Sequence, residues 1–241
     1  MKKKITALAL VICLLAVAVV GGTLAYFTDT DNATNVFTVG SIDITQNEYD
    51  LDGNDFQNGG ILLPMGGDTA WADEQVTFKG ATFSVFGSEN VLDKVVTVTN
   101  NGNSPAYVRT LVALEAGTSA NMANSLWYNN IAVTDNGGSA VLVEDNNLYV
   151  DIDGTYYIIV VYTYKDAIAA KSESVPSMTG VALYKNTTQE DVAVFGDEYD
   201  VLVLSQAVQA DDMGDDAGAA LDKAFGDVDA ANAKTWFETA F

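Results

Sequence analysis

Oxygen-bearing side chains at alternate positions are the pattern in this chain best suited to holding a metal. Asp50-Leu51-Asp52-Gly53-Asn54-Asp55 spaces its ligands as calcium loops do. The match then departs from a helix-loop-helix calcium site. Asp55 stands where glycine is needed, and Ile61 where a bidentate glutamate is needed. Asp29-Thr30-Asp31-Asn32 is similarly suggestive and equally short. A solvated acidic turn is preferred over a calcium site at Asp50, Asp52 and Asn54, and no other cofactor is expected. The chain has no histidine, which removes the most frequent general base, the commonest zinc ligand and the usual triad member. There is no P-loop and no dinucleotide-binding glycine pattern followed by a helix. Two-carboxylate glycosidase chemistry stays open only because acidic residues abound. No catalytic residue is assigned.

Arg109 is the only arginine. It sits in the β-prone run 106–114, between Val108 and Thr110. Facing inward, it must meet a carboxylate, because an unpaired buried charge is very costly. Facing outward, it bonds a neighbouring acidic side chain. Either way its role is structural.

The elements that must position these residues are strands. Residues 95–99 are β-branched or strand-compatible, and Asn100–Asn103 offers a polar turn before 106–114, so the two runs read as a hairpin. Tyr156–Tyr164 (YYIIVVYTY) is wholly β-branched or aromatic and suits a strand buried on both faces. Further strands are expected at 37–44, 75–86, 139–143, 147–150, 181–184, 191–195 and 199–208, with 144–146 as a break. Asn47–Gly60 reads as a polar loop. Ala217–Phe225 and Ala230–Phe237 read as short helices, with Asp229 capping the second. Trp236, Phe237 and Phe241 either pack on the body or contact a neighbour. The predicted fold is all-β: a jelly-roll-like β-sandwich with a short, partly helical C-terminal tail.

Charge narrows the partners. The chain holds 33 acidic and 11 basic residues, a net charge of −22. Such a surface repels nucleic acid and anionic lipid headgroups. Yet 49% of residues are apolar, so this is not a disordered acidic chain.

The N-terminus reads as an export signal. Lys2, Lys3 and Lys4 lead an apolar run from Ile5 to Val20, and Gly21, Gly22, Thr23 and Ala25 supply small residues for cleavage. The run is shorter than the roughly 20 residues that span a bilayer. Cleavage is expected between Ala25 and Tyr26, the alternative being an uncleaved anchor. Loss of the three lysines would take the net charge from −22 to −25. Cys13 lies inside the apolar run, so the mature chain would have no disulfide and must rely on its own core. The expected division is a signal at 1–25, an N-terminal strand segment at 26–45, a sandwich at 46–210 and an acidic tail at 211–241. The expected location is extracellular.

Gly21–Ile44 (GGTLAYFTDTDNATNVFTVGSIDI) resembles the start of the TasA and camelysin proteins. The shared pattern falls at Gly21–Thr23, Ala25, Tyr26–Phe27, Thr28–Asn35, Phe37–Gly40 and Ile42–Ile44. Val96–Arg109 and Leu202–Ala210 resemble later strands of that family. The resemblance implies a secreted biofilm-matrix subunit, freed by a dedicated signal peptidase, that forms fibres by donor-strand exchange with copies of itself. An accessory matrix protein is a further implied partner. On that reading Tyr26, Phe27, Val36, Phe37 and Val39 are the donor-strand candidates. The segment Tyr26–Val39 is then extended and unpaired within its own chain. In the alternative, a monomeric or accessory cell-surface binding module, it folds back as an ordinary strand. The camelysin name also carries a peptidase label, which a chain without histidine or mature cysteine does not favour.

Overall fold

The computed structural model describes residues 28–32, 35–37, 42–57, 63, 74–79, 81–85, 90–117, 126–130, 141–183, 188, 199–211, 213–214 and 216–241. Their strands, in chain order, are β1 (Thr28–Asn32), β2 (Asn35–Phe37), β3 (Ile44–Tyr49), β4 (Glu74–Phe78), β5 (Ala81–Val85), β6 (Leu92–Asn100), β7 (Ala106–Gly117), β8 (Leu126–Asn130), β9 (Val141–Ile152), β10 (Thr155–Tyr164), β11 (Ser172–Glu173), β12 (Met178–Leu183) and β13 (Val201–Gln209). Helices α1 (Ala217–Phe225) and α2 (Ala230–Ala240) follow.

The strands pair antiparallel. One sheet runs β2-β1-β13-β7-β10-β9. In the other, β3 lies along one side of β6, while β11 and β12 lie along the other side and β8 follows β12. A small β4–β5 hairpin stands apart as a third pairing. The predicted all-β sandwich with a helical tail is the fold observed.

Alternation along each strand builds the layers. Val108, Val112 and Leu114 of β7, Ile158, Val160, Tyr162 and Tyr164 of β10, and Val203 and Ala207 of β13 face Ile44, Val96, Val98 and Met178 of the second sheet. The intervening residues are also apolar. Leu111, Ala113, Ile159, Val161 and Leu204 pack under Ala233 and Phe237 of α2. Tyr107 and Val208 pack under Ala217, Ala220 and Leu221 of α1. The run 157–164 is thus buried on both faces, as its composition predicts.

The helices begin and end where local chemistry directs. The Asp216 carboxylate accepts from Ala219 N–H, and that of Asp229 from Asn232 N–H, which satisfies N–H groups that have no partner within the helix. Gly226 ends α1 at φ +97°, a conformation that favours glycine.

Four expectations change. The strand expected at 75–86 is instead the β4–β5 hairpin, which turns after Phe78 with Lys79 at φ +46°. β6 and β7 form no hairpin, because they belong to different sheets. Asn100 is fully buried and turns the chain across the sandwich: its Nδ2 donates to Ser104 O and Ile168 O, and its Oδ1 accepts from Gly102 N–H. β9 is one continuous strand through 144–146, because pairing with β10 on a slipped register absorbs the polar residues. β3 reaches Tyr49, so the turn is confined to residues 50–55. The strand expected at 191–195 lies outside the described residues.

Phe237 has no solvent exposure, whereas Phe241 is 55% exposed and stacks on it. Phe237→Ala is expected to cost about 3–5 kcal/mol in urea unfolding. Phe241→Ala should stay within about 0.5 kcal/mol of wild type.

Candidate functional site

The edge of the six-stranded sheet is where the N-terminal segment meets the body. β1 pairs with β13 through Thr28↔Val208, Asp29↔Ala207, Thr30↔Gln206, Asp31↔Ser205 and Asn32↔Leu204. β2 then folds back on β1, with Phe37 opposite Thr30 and Val36 opposite Asp31. The segment is therefore paired within its own chain, as the monomeric alternative expects. It joins the sheet as a hairpin, and among its described residues only Thr28–Asn32 lie along β13. Of the donor candidates, Val36 and Phe37 are one strand removed from β13. Tyr26, Phe27 and Val39 lie outside the described residues, as do Ala25 and the signal segment.

β1 is a weak strand by composition. Asp and Asn supply three of its five residues (TDTDN), and both are depleted in strands. Its attachment to β13 rests on main-chain hydrogen bonds, the currency of strand addition at a sheet edge.

β13 is held far more firmly, because both of its faces are anchored. On the sandwich side, Ser205 Oγ donates to Gln46 Oε1 over 2.8 Å and lies 3.1 Å from Thr110 Oγ1. Gln46 Nε2 donates to Val203 O across the two sheets. On the helical side, Leu204 and Val208 pack under the helices, and Gln206 Oε1 accepts from Arg109 Nε at 2.7 Å.

Arg109 is 1% exposed. Its Nη1 pairs with Asp222 Oδ1 of α1 at 2.6 Å, and its Nη2 donates to Gly226 O. The guanidinium also lies 4.8 Å from the Trp236 ring. The expected carboxylate partner is thus present, and the structural role assigned from sequence is the one seen.

Asp50, Asp52 and Asn54 form a hairpin turn. Both Asp50 carboxylate oxygens accept from Asn54, one from its backbone N–H and one from its side-chain amide, each at 2.8 Å. These bonds hold the Asp50 carboxyl below its ordinary range. Gly53 turns the chain at φ +84°. Among the described residues, no three His, Cys, Asp or Glu converge as a metal site would require.

Sequence reasoning missed an acidic neighbour of this turn, Asp93 on β6. Burial raises its pKa, the Leu51 N–H opposes the rise, and the Asp50 and Asp52 charges add to it. Burial also raises Glu115, opposed by the Asp200 N–H and reinforced by the Asp200 charge. Beside Gln46, whose Nε2 also donates to Glu48 Oε1 at 3.3 Å, Lys94 is buried against Glu48, with its ammonium 4.3 Å from the Phe56 ring. No sequence signal pairs these residues beyond their opposite charges.

Residues 1–62 match the family model described as camelysin metallo-endopeptidase. No curated protein and no solved structure matches the chain.

The raised pKa of Asp93 has a definite sign. Its carboxylate is a liability above the folded pKa, and the penalty disappears as pH falls towards the ordinary value of 3.8. Asp93→Asn keeps an acceptor for Leu51 N–H and is expected to raise the urea midpoint at pH 7. The gain should vanish near pH 4.

Proposed function

We propose, from the match of residues 1–62 to the camelysin family model and the resemblance of Gly21–Ile44 to the TasA and camelysin proteins, that the chain is a structural subunit of extracellular fibres. Export and cleavage after Ala25 would release the N-terminal hairpin. The hairpin of one subunit would then occupy the β13 edge of the next. Tyr26, Phe27, Val36, Phe37 and Val39 would flank the paired core of Thr28–Asn32.

The observation that carries this reading is the pairing of β1 with β13. A short hairpin, polar along β1, occupies the margin of a firmly built sheet, and its removal leaves β13 as an open edge. The same five register pairs serve equally well within a chain or between chains, so exchange requires no new contact. A contact of that kind runs head to tail and does not close, which yields a filament. The strong negative charge slows association at low salt, and calcium or other cations would screen it. The chain's lack of histidine supports a non-enzymatic role.

A second reading, a monomeric surface module, has one specific observation in its favour: the same pairing drawn within one chain. Cysteine trapping separates the two, because the chain from Tyr26 onward contains no cysteine. Asp29→Cys and Ala207→Cys, at opposed register positions, are made in separate chains, mixed and oxidised. Disulfide-linked dimers are expected if the hairpin exchanges. Monomers from the mixture, with efficient internal cross-linking of the double variant, would establish the monomeric module.

Electron microscopy extends the test. Protein starting at Tyr26 is expected to form filaments, more readily with calcium, and protein starting at Gly40 is not.

A further inference from the structure

The two ends of the chain meet across a single strand. β1 lies along the margin of β13, and the C-terminal helices lie on its face. Three of the five β13 residues that oppose β1 are anchored in the helical layer: Leu204 beneath α2, Val208 beneath α1, and Gln206 through Arg109. These alternate along the strand, opposite Asn32, Thr28 and Thr30. Their grip fixes the strand that presents hydrogen-bonding groups to β1. Arg109 is the joint between them, since its guanidinium binds Gln206 on one side and Asp222 and Gly226 of the helical tail on the other.

We propose that Arg109, held by Asp222, is the positioning residue of the strand-addition edge, so that the C-terminal helical layer determines how well β13 accepts an N-terminal hairpin. The inference deepens the fibre reading and rests on it for its biological meaning, although the coupling itself is a property of one chain. Strand addition is sensitive to such support. An incoming strand binds a line of main-chain groups, and a line that is not held straight offers them out of register. Loss of the Asp222 charge leaves a buried guanidinium without its carboxylate, and the strain falls first on its other strong partner, Gln206.

The test uses a peptide of residues 26–39 and a body that starts at Gly40. Asp222→Asn is expected to weaken peptide binding at least tenfold, and Gln206→Ala to do the same. Asp222→Glu should restore most of it. Lys79→Ala, which removes an ion pair with Glu173 on the second sheet, should leave binding within twofold.

Hydrogen exchange on the chain starting at Tyr26 gives a second readout. Asp222→Asn should speed exchange at residues 204–208 at least tenfold while residues 95–98 of β6 keep their protection. A merely destabilising change would speed both. Unchanged exchange at 204–208 in a folded Asp222→Asn protein, or equal acceleration of both strands, would overturn the proposal. Absence of peptide binding by the unsubstituted body would instead overturn the fibre reading, and the exchange measurement would still decide the coupling.

Discussion

A sheet with two apolar faces must be covered twice, and this requirement organises the molecule. β7, β10 and β13 carry apolar residues on both faces. One face is sealed by the second sheet and the other by the two helices. The helical tail is therefore a third layer of the fold. Burial of apolar surface supplies the driving force, and buried polar groups tolerate it only because they find partners. Gln46, Ser205 and Thr110 bond one another inside the sandwich, while Arg109 bonds Gln206, Asp222 and Gly226 and lies against the Trp236 ring beneath the helices.

Contrast in anchoring gives the sheet a functional polarity. β13 is held on both faces, whereas β1 is short and polar and is backed only by the three-residue β2, the outer strand of the sheet. Edge strands of low intrinsic preference open at smaller free energies than the strands they cover.

Legibility in the sequence followed the range of the interaction. The helices were readable because their signals are local: small residues and an aspartate cap. The doubly buried strand was readable because YYIIVVYTY has no polar face. The supposed hairpin of β6 and β7 was misleading because Asn-Gly turn chemistry reports that the chain turns, not which sheet it enters. Asn100 decides that through Ile168, a residue distant in sequence. β9 was divided on paper because Glu144–Asn146 look like a turn, while an adjoining strand keeps them extended. Arg109 announced its need for a carboxylate. Which of 33 acidic residues would answer depended on tertiary packing. The N-terminal segment was singled out by its pattern, yet its folding into a hairpin placed Val36 and Phe37 away from β13.

The pairing of Thr28 with Val208 also governs the timing of folding. Closure of so long a loop carries a larger entropic cost than any local hairpin, and contacts of this span form late. A chain emerging from its N-terminus exposes β1 first, and the complementary strand only near the end. Throughout that interval the sheet can consolidate around β7 and β10 without its margin. On the proposed exchange, the last act of folding would be a choice between two chemically identical strands, one tethered and one free, and local concentration would decide it: a dilute chain would close on itself, and a crowded one would be captured by its neighbour.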